Sequence, residues 1–219
     1  MKKTLATLLF LSIATISFAQ NASQVRLGLT AHPTFGFLKI ENGKGSGLST
    51  GFSYGLMSDF EFAENYSFAT GLTITTINGK GAVLNYLPYY AASGSTNSAE
   101  YDVKFKMQYI EIPLSIKLKT DETNDMKWYG QFGLTTNFRI GAKQDVKSGN
   151  NTLASDIKAT DQTKFLRAGM IIGGGLEYRL SGKTSLLTGL TYNNGLTNIA
   201  KNGQSIKNHY VGLNIGVFF

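Results

Sequence analysis

The 219-residue chain has no cysteine, only 3 prolines, and charged residues at just 16% of its length. Without cysteine there is no disulfide framework, thiolate metal site, cysteine nucleophile or lipid anchor on cysteine. The low charge argues against a disordered segment, a coiled coil or a charged helical protein. Long hydrophobic runs are also missing. The longest near-apolar stretch is Leu5–Phe18, 14 residues interrupted by Thr and Ser, where a spanning helix needs about 20. What is abundant is glycine (25) and aromatic side chains, with 14 Phe, 11 Tyr and a single Trp.

The N-terminal stretch follows Lys2 and Lys3 and ends in Ser17-Phe18-Ala19. That is the order of a secretory signal, with cleavage expected after Ala19, so residues 1–19 read as a signal peptide and 20–219 as one domain. The remaining chain carries 19 Lys and Arg against 14 Asp and Glu. This mild, unclustered excess gives no nucleic-acid footprint.

Along 20–219 the apolar residues recur at every second position. One parity is apolar: Val25, Leu27, Leu29; Phe52, Tyr54, Leu56, Phe60, Phe62; Tyr66, Phe68, Leu72; Ile110 to Ile116; Trp128, Phe132, Leu134, Phe138; Leu166, Met170, Ile172; Leu186, Leu190, Tyr192; and Leu213, Ile215, Val217, Phe219. The opposite parity holds Gly, Ser, Thr, Asn and charge. These are eight strands, several reaching 10 residues, longer than the soluble average of about five or six. Tyr66, Trp128, Tyr178 and Phe219 fall toward strand ends, as an interfacial aromatic girdle requires. Short connections (63–65, 120–125, 181–183) alternate with long ones (39–47, 79–100, 141–163, 193–208). The expectation is an all-β, eight-stranded antiparallel transmembrane β-barrel of outer-membrane type, apolar face to lipid, long loops outside the cell. Hence its location is the outer membrane of a Gram-negative bacterium, and its partners are outer-membrane lipid and the barrel-assembly machinery.

In this reading the interior parity carries Arg26, Asp59, Glu61, Glu111, Lys117, Arg139, Arg167, Glu177 and Arg179. Two roles follow from such charges, a selective channel lining or a paired network that fills a narrow barrel. Near balance of sign and the small diameter of eight strands favour the plug. Near Tyr109 the apolar parity slips from odd to even, and Pro113 sits within the same strand. A β-bulge that swaps the faces accounts for both.

The two histidines fall on opposite parities, His32 inside and His209 toward lipid, and no carboxylate stands at ligand spacing, so no metal or other cofactor is expected. Ser205 with His209 is the one nucleophile–base pair available to a lipid-modifying enzyme, and it has no third member. Gly43–Gly47 lacks the Gly-Lys-Ser/Thr ending of a phosphate loop and reads as a loop tip. The Gly173–Gly175 run reads as relief of crowding in the barrel wall.

The stretch Tyr109-Ile110-Glu111-Ile112-Pro113-Leu114 with Lys117, the segment Gly195–Ile199 after Tyr192, and the terminal strand ending in Phe219 resemble the PorT-like outer-membrane β-barrel family of Bacteroidetes-type bacteria. The family often carries Arg before the tyrosine of its seventh strand; this chain has Thr191 there. The resemblance implies the barrel fold, an outer-membrane location and an association with protein secretion. It also makes Leu213, Ile215, Val217 and Phe219 an assembly signal. The function expected is therefore non-catalytic, structural or through a protein partner at the long loops. A small pore for ions or solutes is the first alternative and a lipid-modifying enzyme the second.

Overall fold

The computed structural model describes residues 25–41, 43–86, 99–201 and 205–219, which form ten strands. They are β1 (Val25–Ile40), β2 (Gly43–Gly45), β3 (Ser49–Ala63), β4 (Tyr66–Leu84), β5 (Glu100–Lys119), β6 (Met126–Ser148), β7 (Asn151–Lys158), β8 (Leu166–Ser181), β9 (Thr184–Gly195) and β10 (Ile206–Phe218). Residues 1–19, read as a signal, and 87–98, the centre of the 79–100 connection, lie outside the described residues.

Eight of the strands close a barrel. Each pairs antiparallel with its sequence neighbour, from β1–β3 through β9–β10, and β10 returns to β1 with Leu29 opposite Val217 and Phe37 opposite His209. The last residue joins the closure through Phe219 N–H to the Leu27 carbonyl at 2.9 Å. β2 and β7 are extras, lying on β4 and β6 above the barrel. The expected eight-stranded antiparallel barrel is therefore the observed one. Gly43–Gly45, read as part of a loop tip, is a short strand.

The exterior is apolar. Leu29, Leu56, Leu72, Leu114, Phe132, Leu134, Ile172, Leu190, Leu213 and Ile215 are all exposed. Solvent water would not leave so much hydrocarbon uncovered, and lipid does. Hydrogen-bond closure leaves no open sheet edge in that zone.

Beyond the apolar band the long strands continue and the pattern turns inside out. On β5 the outward residues run Leu118, Ile116, Leu114, Ile112, Ile110, and then Gln108, Lys106, Lys104, Asp102. The inward ones run Lys119, Lys117, Ser115, Pro113, Glu111, and then Tyr109, Met107, Phe105, Val103, Tyr101. The odd parity faces inward throughout. The slip of the apolar parity is thus not a change of face in β5, as expected from the sequence. It marks the level at which the same strand passes from lipid to water. A bulge does exist nearby, but it is in β6, where Gln108 pairs with Gly141 and Tyr109 with Arg139, leaving Ile140 unpaired. Below it β6 buries Thr135 and Asn137, and above it Ala142, Gln144 and Val146, so the faces swap in β6 alone.

The long connections are correspondingly shorter than the sequence suggests. β4 runs to Leu84 and β5 begins at Glu100, which leaves 85–99; β6 runs to Ser148 and turns back as β7. Loop-like composition (Gly, Lys, Asn) misled because these strands face water on the outside, where polar residues belong.

Candidate functional site: a lumen filled in layers

Inside the apolar band the barrel holds two polar layers. At the end nearer the short turns, Lys117 Nζ donates to both carboxylate oxygens of Asp59, at 2.8 and 2.7 Å. Lys119 Nζ reaches Glu61 at 3.0 Å, Asp59 at 3.4 Å and Glu177 at 3.8 Å. Arg26 pairs with Glu177 at 2.5 Å and lies 3.7 Å from Glu61, while Ser185 donates to Glu177 at 2.9 Å. Three cations thus meet three carboxylates. The ring of Phe218 lies under two of them, 4.5 Å from the Arg26 guanidinium carbon and 5.1 Å from Lys117 Nζ. Leu187 and Tyr129 pack with Phe218 against Met57, and Tyr129 crosses the lumen because residue 189 is Gly. A Cβ at Gly189 would stand 2.4 Å from the Tyr129 hydroxyl.

The second layer is built on Arg167, 1% exposed. Its Nε donates to Asn208 Oδ1 at 2.6 Å, one terminal nitrogen to Asn137 Oδ1 at 3.0 Å, and the other to Asn193 Oδ1 at 2.8 Å and the Asn208 carbonyl at 2.9 Å. Glu111 accepts from Asn137 Nδ2 and from the Tyr210 hydroxyl, the latter at 2.6 Å. The guanidinium and the carboxylate therefore share Asn137 instead of touching. Between the layers lies a cavity of about 100 Å³ lined by Thr30, His32, Ser53, Thr73, Thr191 and Asn214, with Asp59 and Lys117 at one end and Glu111 and Tyr210 at the other. His32 is hydrogen-bonded to Thr30 at 3.1 Å.

Above Arg167 the lumen is apolar. Leu38, Ile77, Val103, Phe105, Met107, Ile199 and Ile206 form its core, with Tyr86 set edge-on to Phe105 at 6.2 Å and donating to Gln144 at 2.7 Å.

Of the nine interior charges read from the sequence, seven sit in these layers: Arg26, Asp59, Glu61, Glu111, Lys117, Arg167 and Glu177. Two do not. Arg139 stands at the β6 bulge and donates to the Lys164 carbonyl at 3.2 Å, and Arg179 lies half-exposed at the turn-side rim, paired with Glu122. In their place comes Lys119, which shares parity with Lys117 and was legible on that ground. Four cations then face four carboxylates. His209 points outward, as expected, stacks on Phe37 at 5.3 Å and accepts the Gly195 N–H at Nδ1 at 3.2 Å; among the described residues no hydrogen bond joins it to Ser205. Leu213, Ile215, Val217 and Phe219 all point outward from β10 and its end. Among the described residues, no group of three or more potential metal ligands comes together.

Outside the membrane zone, Lys106 Nζ meets Asp145 and Asp156, at 3.1 and 3.0 Å, Lys143 meets Asp156 at 2.7 Å, and Asp145 accepts the Asp156 backbone N–H at 2.7 Å. This cluster holds the β6–β7 hairpin. The ammonium groups of Lys143 and Lys106 hold the Asp156 carboxyl below its ordinary range. At Asp145 burial acts upward, but the Asp156 N–H and Lys106 outweigh it and the net shift is down. Carboxyls depressed in the folded state contribute stability that is present above their unfolded pKa and lost as pH falls through the folded one. Exchange of the 151–158 amides, corrected for intrinsic rate, is thus expected to stay slow at neutral pH and accelerate once pH falls below roughly 4. In Asp145→Asn that acid step should shrink; an unchanged step would assign it elsewhere.

A closed eight-stranded barrel with a lipid-facing exterior and a filled lumen defines the class: a transmembrane β-barrel of the outer membrane. The chain belongs to the outer membrane protein beta-barrel domain family, whose sequence profile it matches over residues 18–201. No curated protein sequence matches it. Among solved structures, the chain is similar to Neisserial surface protein A (17% identity, 88% of this chain and 95% of that one, TM-score 0.44). It is also similar to Ail, the attachment invasion locus protein of Yersinia pestis (12%, 90% and 99%, 0.41), and to OprG from Pseudomonas aeruginosa (13%, 89% and 93%, 0.44).

Proposed function

We propose that this protein is a non-catalytic, non-conducting barrel whose role is to hold a rigid surface above the outer membrane for a protein partner. The filled lumen carries the reading. A solute would have to pass the Asp59–Lys117–Lys119 layer, the Arg167–Glu111 layer and then the apolar core around Phe105, and each excludes bulk water. Balanced charge also suits pairing better than selectivity, for which one sign usually dominates. A role beside a secretion apparatus, as the PorT-like resemblance implies, is one form this function takes. The alternative, a small pore, rests on the polar cavity between the layers. Planar-bilayer recording separates the two: the purified full chain should insert without steady current, and stable single-channel steps would make it a pore.

A further inference from the structure

The described residues that rise above the apolar band (39–41, 43–47, 78–86, 99–108, 139–164, 198–201 and 205–207) carry twelve Lys and Arg against six Asp and Glu. The rest of the mature chain is therefore close to neutral, and the positive excess lies on the outer side. Four of these lysines have an acidic neighbour: Lys106 and Lys143 are ion-paired, and Lys104 and Lys147 lie across the ladder from Asp145 and Asp102. One pair has none. On the outward face Lys39 of β1 stands directly opposite Lys207 of β10. Among the described residues no carboxylate comes within 4.0 Å of either, Glu41 at the end of β1 included. Like charges placed directly across a ladder repel, so this register costs stability unless an anion lies between them.

What stands below the pair says which anion. Down the outward face of β10 the residues run Lys207, His209, Val211, Leu213, Ile215. Beside them Phe37 stacks on His209 at 5.3 Å and on Tyr192 at 6.4 Å. Phe37, Lys39, Tyr192, Asn194 and His209 line an open outward groove of about 430 Å³. Within four alternate positions, each pair of residues rising about 6.8 Å, the wall changes from aliphatic to aromatic to cationic. That is the order of a lipid from its chains through the interface to a charged headgroup.

We propose that the Lys39–Lys207 pair is a binding site for the phosphorylated headgroup of an outer-leaflet lipid, whose acyl chains lie along Val211, Leu213 and Ile215. A phosphate between the two ammonium groups cancels their repulsion, and the Phe37–Tyr192 pair sets the depth of the glycolipid beside it.

The test uses the detergent-purified full chain and two probes, diphosphorylated lipid A and the same lipid dephosphorylated, read by native mass spectrometry and by thermal unfolding. Wild type should retain the phosphorylated probe and gain stability from it. Lys39→Gln/Lys207→Gln should weaken retention by about 30-fold, the loss expected for two lysines at an anionic surface. Without lipid, the same variant should melt at or above the wild-type temperature, because the repulsion is gone. Lys39→Arg/Lys207→Arg should keep binding, and Lys127→Gln/Lys183→Gln, at the turn-side end, should not change it. Equal retention of both probes by wild type, or equal loss in the two glutamine variants, would overturn the site. A lower melting temperature for Lys39→Gln/Lys207→Gln without lipid would overturn it too, by making the pair structural.

Discussion

Replacing Arg167 by Ala should lower the unfolding free energy of the barrel by about 3–5 kcal/mol, the cost of breaking a buried charge network by removing one member. The reason is the set of groups left behind. Asn137, Asn193 and Asn208 each lose a donor, and Glu111, 5% exposed, is left with the neutral Asn137 and Tyr210 as its partners and no cation in its layer. Arg167→Lys should recover part of the loss, because one ammonium cannot satisfy acceptors on three strands in the fixed fork geometry of a guanidinium. Urea unfolding in detergent, followed by heat-modifiable migration, measures both. An Arg167→Ala barrel as stable as wild type would mean that water solvates Glu111 freely and that the layer is open.

The second large effect concerns conduction. The two polar layers and the apolar core lie in series, so removing one leaves the others in the path. Arg167→Ala alone, or Asp59→Ala with Lys117→Ala, should leave the bilayer silent. Removing both layers and shortening Phe105 to Ala should give steady, resolvable current steps. Shortening Phe105 alone should cost about 3–5 kcal/mol through the cavity it leaves. Current from Asp59→Ala/Lys117→Ala alone would show that this layer is the main barrier and that the Arg167 layer and the core above it already pass ions.

Much of this was legible in the sequence. The eight strands, their faces within the membrane and seven of the eight network charges follow from a period of two, since a lipid-facing wall forces that alternation on every strand. Leu187 breaks the polar parity of its strand because it is the inward residue that packs on Tyr129 and Phe218. Where the reading failed, the solvent had changed. Val103, Phe105 and Met107 are apolar and inward for the same reason that Leu114 and Ile116 are apolar and outward: each avoids water, and water is outside in one zone and absent outside in the other. Periodicity reports which parity is apolar but not which side is wet. Arg139 was misplaced because it is the last residue before the unpaired Ile140, where its side chain turns to the Lys164 carbonyl at the bulge, and no local signal in Phe138-Arg139-Ile140-Gly141 announces a bulge. The Lys39–Lys207 pairing depends on the register between the first and last strands, which 168 positions of chain separate.

The passage of β4, β5 and β6 from lipid into water without a break has a mechanical consequence. A domain on a linker can tilt and swing, but a wall that continues the membrane barrel cannot. About ten residues of β5 lie beyond the apolar band, which at ~3.3 Å each and a strand tilt near 40° lifts the tip roughly 25 Å above it. Whatever docks there is held at a set height and angle to the membrane, and a pull on it loads the whole ladder at once. The barrel is thus a post of fixed length, and shortening β4, β5 and β6 by matched pairs of residues lowers it in steps.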